Sequence, residues 1–140
     1  MKLLVDTNVY LEFLLEREHF EDAFSFFQQS IIRQNQLVMT SMTIRDIDYV
    51  VHKYTHDNEK TRSLLMKVYS MTSKVVPISE DAAIESLYSE NVNLEDALQA
   101  LAAEEAMCSA IITFDKKGFN NLRIPVFTPQ EICEIWRKDV

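Results

Sequence analysis

The chain of 140 residues is 47% hydrophobic and carries a formal charge of −8, which bounds it to about one domain with a buried core. No apolar run reaches the roughly 18 residues of a membrane span, and no basic leader precedes a short apolar block, so residues 1–140 are expected to form a single cytoplasmic domain. The negative balance and the pI of about 4.8 argue against gripping nucleic acid through overall charge, and leave locally built sites in which a divalent cation could reverse the field of clustered carboxylates.

The first predicted element is the run KLLV at 2–5, a short apolar strand, and Asp6 follows it directly. A carboxylate between two apolar stretches is costly unless it is paired. Capping the next helix would satisfy Asp6 as well as a ligand role would, and Thr7 or Asn8 could cap in its place. Phe20, Phe24, Phe27 and Ile31 then recur at helical spacing, and QLVMT at 36–40 reads as a second strand.

Ile47, Val50, Val51 and Tyr54 mark the next helix, with Asp46 and Asp48 flanking its apolar stripe on opposite sides, so that periodicity does not choose between them. His52 and His56 have a metal-binding spacing but lack the glutamate of HExxH, and are read as a solvated helix face. A helix is expected over 59–72, a strand at KVVPI, 74–78, and a helix over 80–90.

In the helix predicted over 94–107, Asn93 is a good N-cap, which places Asp96 near the third position; Ala100 and Ala103 share its face. The strand SAIIT, 109–113, leads to Asp115, which a turn could occupy by bonding its own backbone ahead of KKG. IPVF, 124–127, and a helix over 129–137 complete the order. Cys108 and Cys133 lack CxxC spacing and are read as reduced small hydrophobes. Strands alternating with helices imply a mostly parallel sheet with helices on both faces, and ligands in such sheets bind beyond the carboxyl ends of the strands. GxGxxG, GxxxxGK[ST] and GxSxG are all absent, so acidic residues are the remaining candidates for chemistry.

Taken together, LLVDTNV, TIRDIDYVVHK, LEDALQALAAEEA and AIITFDKKGF resemble, in order and over nearly the whole chain, the PIN-domain ribonucleases, including the toxins of VapBC-type toxin–antitoxin pairs. The resemblance implies a three-layer α/β/α fold around a mostly parallel sheet of about five strands. It implies Asp6, Asp46, Asp96 and Asp115 as the catalytic acids, with Asp6, Asp96 and Asp115 as metal ligands and Asn8 and Thr113 in support. Many members carry glutamate at the second acid, where this chain has the shorter Asp46, with Asp48 as its rival.

The implied cofactor is Mg²⁺ or Mn²⁺, which carboxylate and water oxygens suit, and the implied reaction is RNA hydrolysis leaving a 5′-phosphate and a 3′-hydroxyl. The implied partners are the RNA and a cognate antitoxin, and homodimers recur in the family. Arg45, Lys116 and Lys117, joined by Arg123, would form a basic rim around the acidic centre. Two other readings differ in class. A PIN-like binding module without useful catalysis would bind no Mn²⁺ through Asp6. A receiver-like phosphoacceptor would want paired acids after the first strand, where Asp6 stands alone.

Overall fold

Each apolar run becomes a strand in the computed structural model, which describes residues 1–90, 93–119 and 122–139. The order is β1 (Lys2–Val5), α1 (Thr7–Leu14), α2 (Phe20–Ile32), β2 (Gln36–Thr40), α3 (Ser41–Thr55), α4 (Asn58–Ser70), β3 (Lys74–Val76), α5 (Glu80–Leu87), α6 (Leu94–Glu105), β4 (Ala110–Ile112), β5 (Val126–Phe127) and α7 (Pro129–Lys138). Local capping sets several helix starts. The side chains of Thr40, Asp57, Ser79 and Asn93 each accept a backbone N–H from the first turn of α3 to α6. Thr128 and Glu131 form a reciprocal capping box on α7, with Pro129 in the first turn.

The five strands are all parallel, in the order β3-β2-β1-β4-β5. Alternation along each strand divides the apolar residues between two cores. Leu3, Val5, Leu37, Met39, Ala110 and Ile112 face Tyr10, Phe26, Phe27, Ile47, Val51, Ile132 and Trp136. Leu4, Val38, Val76 and Ile111 face Ala100, Ala103 and Phe119. The result is the expected three-layer α/β/α arrangement, in which strands covered on both faces need not alternate with polar residues.

Three strands are shorter than expected, two of them beside a proline. KVVPI pairs only over Lys74–Val76, since Pro77 has no N–H to extend the ladder, and IPVF pairs only over Val126–Phe127, after Pro125. SAIIT is reduced to Ala110–Ile112. Helix ends also move, with α5 stopping at Leu87 and α6 at Glu105.

The apolar face of α2 differs from the stripe read at Phe20, Phe24, Phe27 and Ile31. Ala23, Phe26, Phe27 and Ser30 are its buried residues, while Phe24 and Ile31 are 44% and 63% exposed. Phe20 and Phe24 instead stack on Phe13 of α1, at ring-centroid distances of 6.0 and 6.5 Å, and cover the edge of the core. No helix among the described residues is long and apolar enough to cross a membrane.

Sheet order also locates a crevice. After β1 the chain builds β2 and β3 to one side, then returns to place β4 and β5 on the other. The order reverses between β1 and β4, and loops leaving their carboxyl ends diverge there. Asp6 follows one of these strands; Thr113 follows the other.

Candidate functional site

The β1 end is tied to β4 by Asp6 N–H, which donates to Ile112 O at 2.9 Å. Asp6 is 5% exposed, and its carboxylate is surrounded by donors. Its Oδ1 accepts from Thr7 N at 2.8 Å and Gln99 Nε2 at 2.5 Å; its Oδ2 accepts from Thr113 Oγ1 at 2.8 Å and Asn8 Nδ2 at 3.2 Å. Asp6 is therefore the N-cap of α1 and a cleft residue at once. Asn8 also donates to Thr113 Oγ1 and accepts from Phe114 N, each at 3.2 Å, and Asp115 N donates to Thr113 Oγ1 at 3.1 Å. These bonds lock the two strand ends into one frame.

Beyond that frame lies a cleft of about 520 Å³ whose walls include Asp6, Asp46, Asp96 and Asp115, drawn from four separate segments of the chain. Asp46 reaches it from the first turns of α3, whereas Asp48 faces a neighbouring groove. The Asn93 side chain caps α6 through Asp96 N, and Asp96, a residue 8% exposed, lines the cleft. Asp115 gives no side-chain cap to the 3₁₀ turn Lys116–Gly118, so the turn-bonding role read for it is not formed.

Gly118, the single glycine of the chain, lets that turn press against α6. A Cβ built there would overlap Asp96 Oδ2 and stand 2.8 Å from its Cγ. Any larger residue would displace the carboxylate or the turn.

The electrostatics follow from burying like charges together. Burial raises the pKa of Asp6, against the lowering effect of its bonds from Gln99, Thr113 and Thr7, and the charge of Asp115 adds to the rise. Burial, then the charges of Asp6 and Asp115, push Asp96 up to about 6. Glu95 is raised to about 7 by burial, by the neighbouring Asp46 carboxyl, and by Asp6 and Asp96.

Sequence reasoning passes over Glu95 and Gln99. Glu95 precedes Asp96 in the first turn of α6, where an acid is readily explained by the helix dipole. Gln99 carries a usable signal: it is a polar residue among Asp96, Ala100 and Ala103 on one face, and in the structure it is fully buried. Its Oε1 has no hydrogen-bond partner.

The expected basic rim is uneven. Arg45 lines the cleft and pairs with Asp46 at 3.7 Å, while Lys116 is held by Glu131 at 3.0 Å. Arg123 borders a different cavity, beside Glu85, Glu90 and Glu104.

Among the described residues, no three carboxylate, imidazole or thiol groups are set closely enough to hold an ion as placed. The chemistry of the cleft nevertheless fits a hard divalent cation. Its acidic donors are all oxygen, Asp46 Oδ2 is buried without a hydrogen-bond partner, and burial followed by neighbouring carboxylates raises the pKa of Asp96 and Glu95. Asp6, Asp96 and Asp115, with Asp46, are the residues that would hold it.

A family profile described as the PIN domain matches residues 2–117. Comparison with curated proteins finds no match. Among solved structures, similarity extends to VapBC2 from Rickettsia felis bound to a DNA fragment from its promoter, at TM-score 0.67 and 15% identity, covering 91% of this chain and 97% of that one. FitAcB from Neisseria gonorrhoeae matches at TM-score 0.68 and 17% identity, over 91% and 98% of the two chains. A toxin–antitoxin complex from Klebsiella pneumoniae matches at TM-score 0.63 and 26% identity, over 91% and 97%.

Proposed function

The chain belongs to the PIN-domain family, and on that footing we propose that residues 1–140 form one PIN domain that hydrolyses RNA phosphodiester bonds with Mg²⁺ or Mn²⁺, as the toxin of a cytoplasmic toxin–antitoxin pair. The observation that carries this reading is the meeting of Asp6, Asp46, Asp96 and Asp115 in one cleft at the switch point of a parallel sheet. The likeness to a toxin–antitoxin complex at 26% identity supports an antitoxin partner.

When bound, the cation supplies charge neutralisation at the phosphodiester and activation of the attacking water. The chain's own residues prepare the place. Thr7, Asn8, Gln99 and Thr113 fix the Asp6 carboxylate so that its oxygens do not swing into solvent. Gly118 leaves room for Asp96 to stand beside the 3₁₀ turn. Glu95, raised to about 7 by burial and by the neighbouring Asp46 carboxyl, adds a further acid to the cleft wall beside Asp46. Arg45, at the mouth, offers a cation to the phosphate backbone.

Purified protein incubated with single-stranded RNA is expected to cut it with Mn²⁺ or Mg²⁺ present, leaving 5′-phosphate ends, and to stop when EDTA is added. Undiminished cutting in excess EDTA would remove the role assigned to the cation. Intact RNA at every cation concentration would favour the binding-module reading instead.

A further inference from the structure

We propose that the groove between α3 and the start of α4 is the binding track for the single-stranded RNA that flanks the scissile bond; the inference rests on the nuclease reading above. Residues 45, 48, 49, 52 and 53 of α3 recur at helical spacing on one face, and with Asn58 and Arg62 of α4 they enclose a groove of about 350 Å³. Arg45 and Tyr49 border both this groove and the acidic cleft, so the two spaces adjoin. From Arg45 to Lys53 the helix rises roughly 12 Å. A chain whose phosphate lies at the acids is thereby led along α3 and past a succession of cations.

The side chains suit that ligand. Among the described residues the ion pairs are Arg45–Asp46 and Lys116–Glu131, so Lys53 and Arg62 have no carboxylate partner. The Arg45 side chain is 84% exposed and its pairing at 3.7 Å is weak enough to yield to a phosphate. Tyr49 is 61% exposed, and Lys53 Nζ lies 4.3 Å from its ring centroid. An aromatic ring braced by a cation, beside a row of cations, can stack a base and bind the adjoining phosphates. Asp48 opposes this with one negative charge against Arg45, Lys53 and Arg62. Within a chain of net charge −8, cations gathered next to the acidic cleft provide the local attraction that overall charge withholds. An acidic segment of a protein partner would meet the same cations, but the groove's place directly beside the cleft favours the molecule that the cleft acts upon.

The test is fluorescence anisotropy with a 5′-labelled 12-nucleotide single-stranded RNA, over a NaCl series, with Ca²⁺ in place of Mg²⁺ and the full chain throughout. The double variant Lys53→Gln/Arg62→Gln is expected to bind roughly tenfold or more weakly and to flatten the slope of log K against log salt by about 1.4, or about 0.7 for each phosphate no longer neutralised. Tyr49→Ala is expected to weaken binding about tenfold with the slope unchanged, and Tyr49→Phe to restore it, because stacking needs the ring and not the hydroxyl. All three change exposed side chains, and unchanged melting temperatures exclude misfolding.

Wild-type protein that cuts and binds this RNA while the variants match it in affinity and slope would overturn the track and leave the nuclease reading standing. Variants that keep their RNA affinity but lose an acidic peptide would assign the groove to a protein partner and overturn it likewise. Wild-type protein that neither cuts nor binds RNA would remove the nuclease reading, and the track with it.

Discussion

The Asp96→Asn protein is expected to hydrolyse RNA at least about a hundredfold more slowly than the parent at saturating Mn²⁺, the scale on which losing one electrostatic stabiliser costs, yet to melt at a higher temperature when no cation is present. Both effects arise from one cause. Burial, and then the charges of Asp6 and Asp115 beside it, push the Asp96 pKa from 3.8 to about 6. A carboxyl whose pKa is raised by folding binds its proton more tightly in the folded chain. Its contribution to stability is therefore complete below the unfolded value and falls away as pH rises through the folded one. Asparagine keeps the shape and removes the charge, so the parent should lose stability between about pH 4 and pH 7 while the variant loses less.

At pH 7.5 without cation the difference should be on the order of 1 kcal/mol in the variant's favour, once solvent in the open cleft is allowed for. It should vanish near pH 3.5. Thermal melts of both proteins across that range, with and without Mn²⁺, would check it. Adding the ion should stabilise the parent more than the variant, since binding to the folded state alone raises stability. Equal melting at every pH would mean that Asp96 is not under the strain of like charges.

Trp136→Ala is expected to have the largest effect on stability alone, a loss of about 3–5 kcal/mol. Trp136 is 3% exposed on α7 and stacks on Phe26 of α2, with ring centroids 6.0 Å apart and planes 15° from parallel. The Arg33 guanidinium lies 5.3 Å from its ring and Arg33 Nη2 donates to Trp136 O at 2.5 Å, so one side chain covers the ring and fastens the helix end. Alanine would leave a void among residues that the sheet and α2 hold in place, preventing collapse around it. Against a typical net stability of about 5–15 kcal/mol, that loss takes a large share. Urea denaturation should show a lower midpoint at an unchanged slope, whereas Trp136→Phe should lose much less.

The sheet is legible in the sequence because its signal is local. Short apolar runs separated by helical periodicity read directly as strands between helices, and the run KLLV alone is enough to set Asp6 at a strand end. Proline sets strand lengths in a way the runs themselves do not reveal at Pro77 and Pro125. The α2 stripe fails for a tertiary reason: Phe20 and Phe24 could pack inward or against Phe13, and periodicity does not distinguish a core from a flank.

The same limit governs the cleft. Asp46 and Asp48 are equivalent by spacing, and only the packing of α3 turns one to the cleft and the other to the groove. Gln99 and Glu95 escape a sequence reading because their surroundings come from β1 and α3, far away in the chain. Gly118 is visible as the single glycine, but its reason, the close approach of Asp96, exists only in three dimensions.

The most direct measurement is anomalous diffraction at the manganese absorption edge from crystals of this chain soaked in Mn²⁺. The expected result is a peak enclosed by the carboxylates of Asp6, Asp96 and Asp115 that disappears in the Asp96→Asn protein. Well-ordered crystals at saturating Mn²⁺ with no peak among those residues would contradict the proposal that these acids gather to hold a cation.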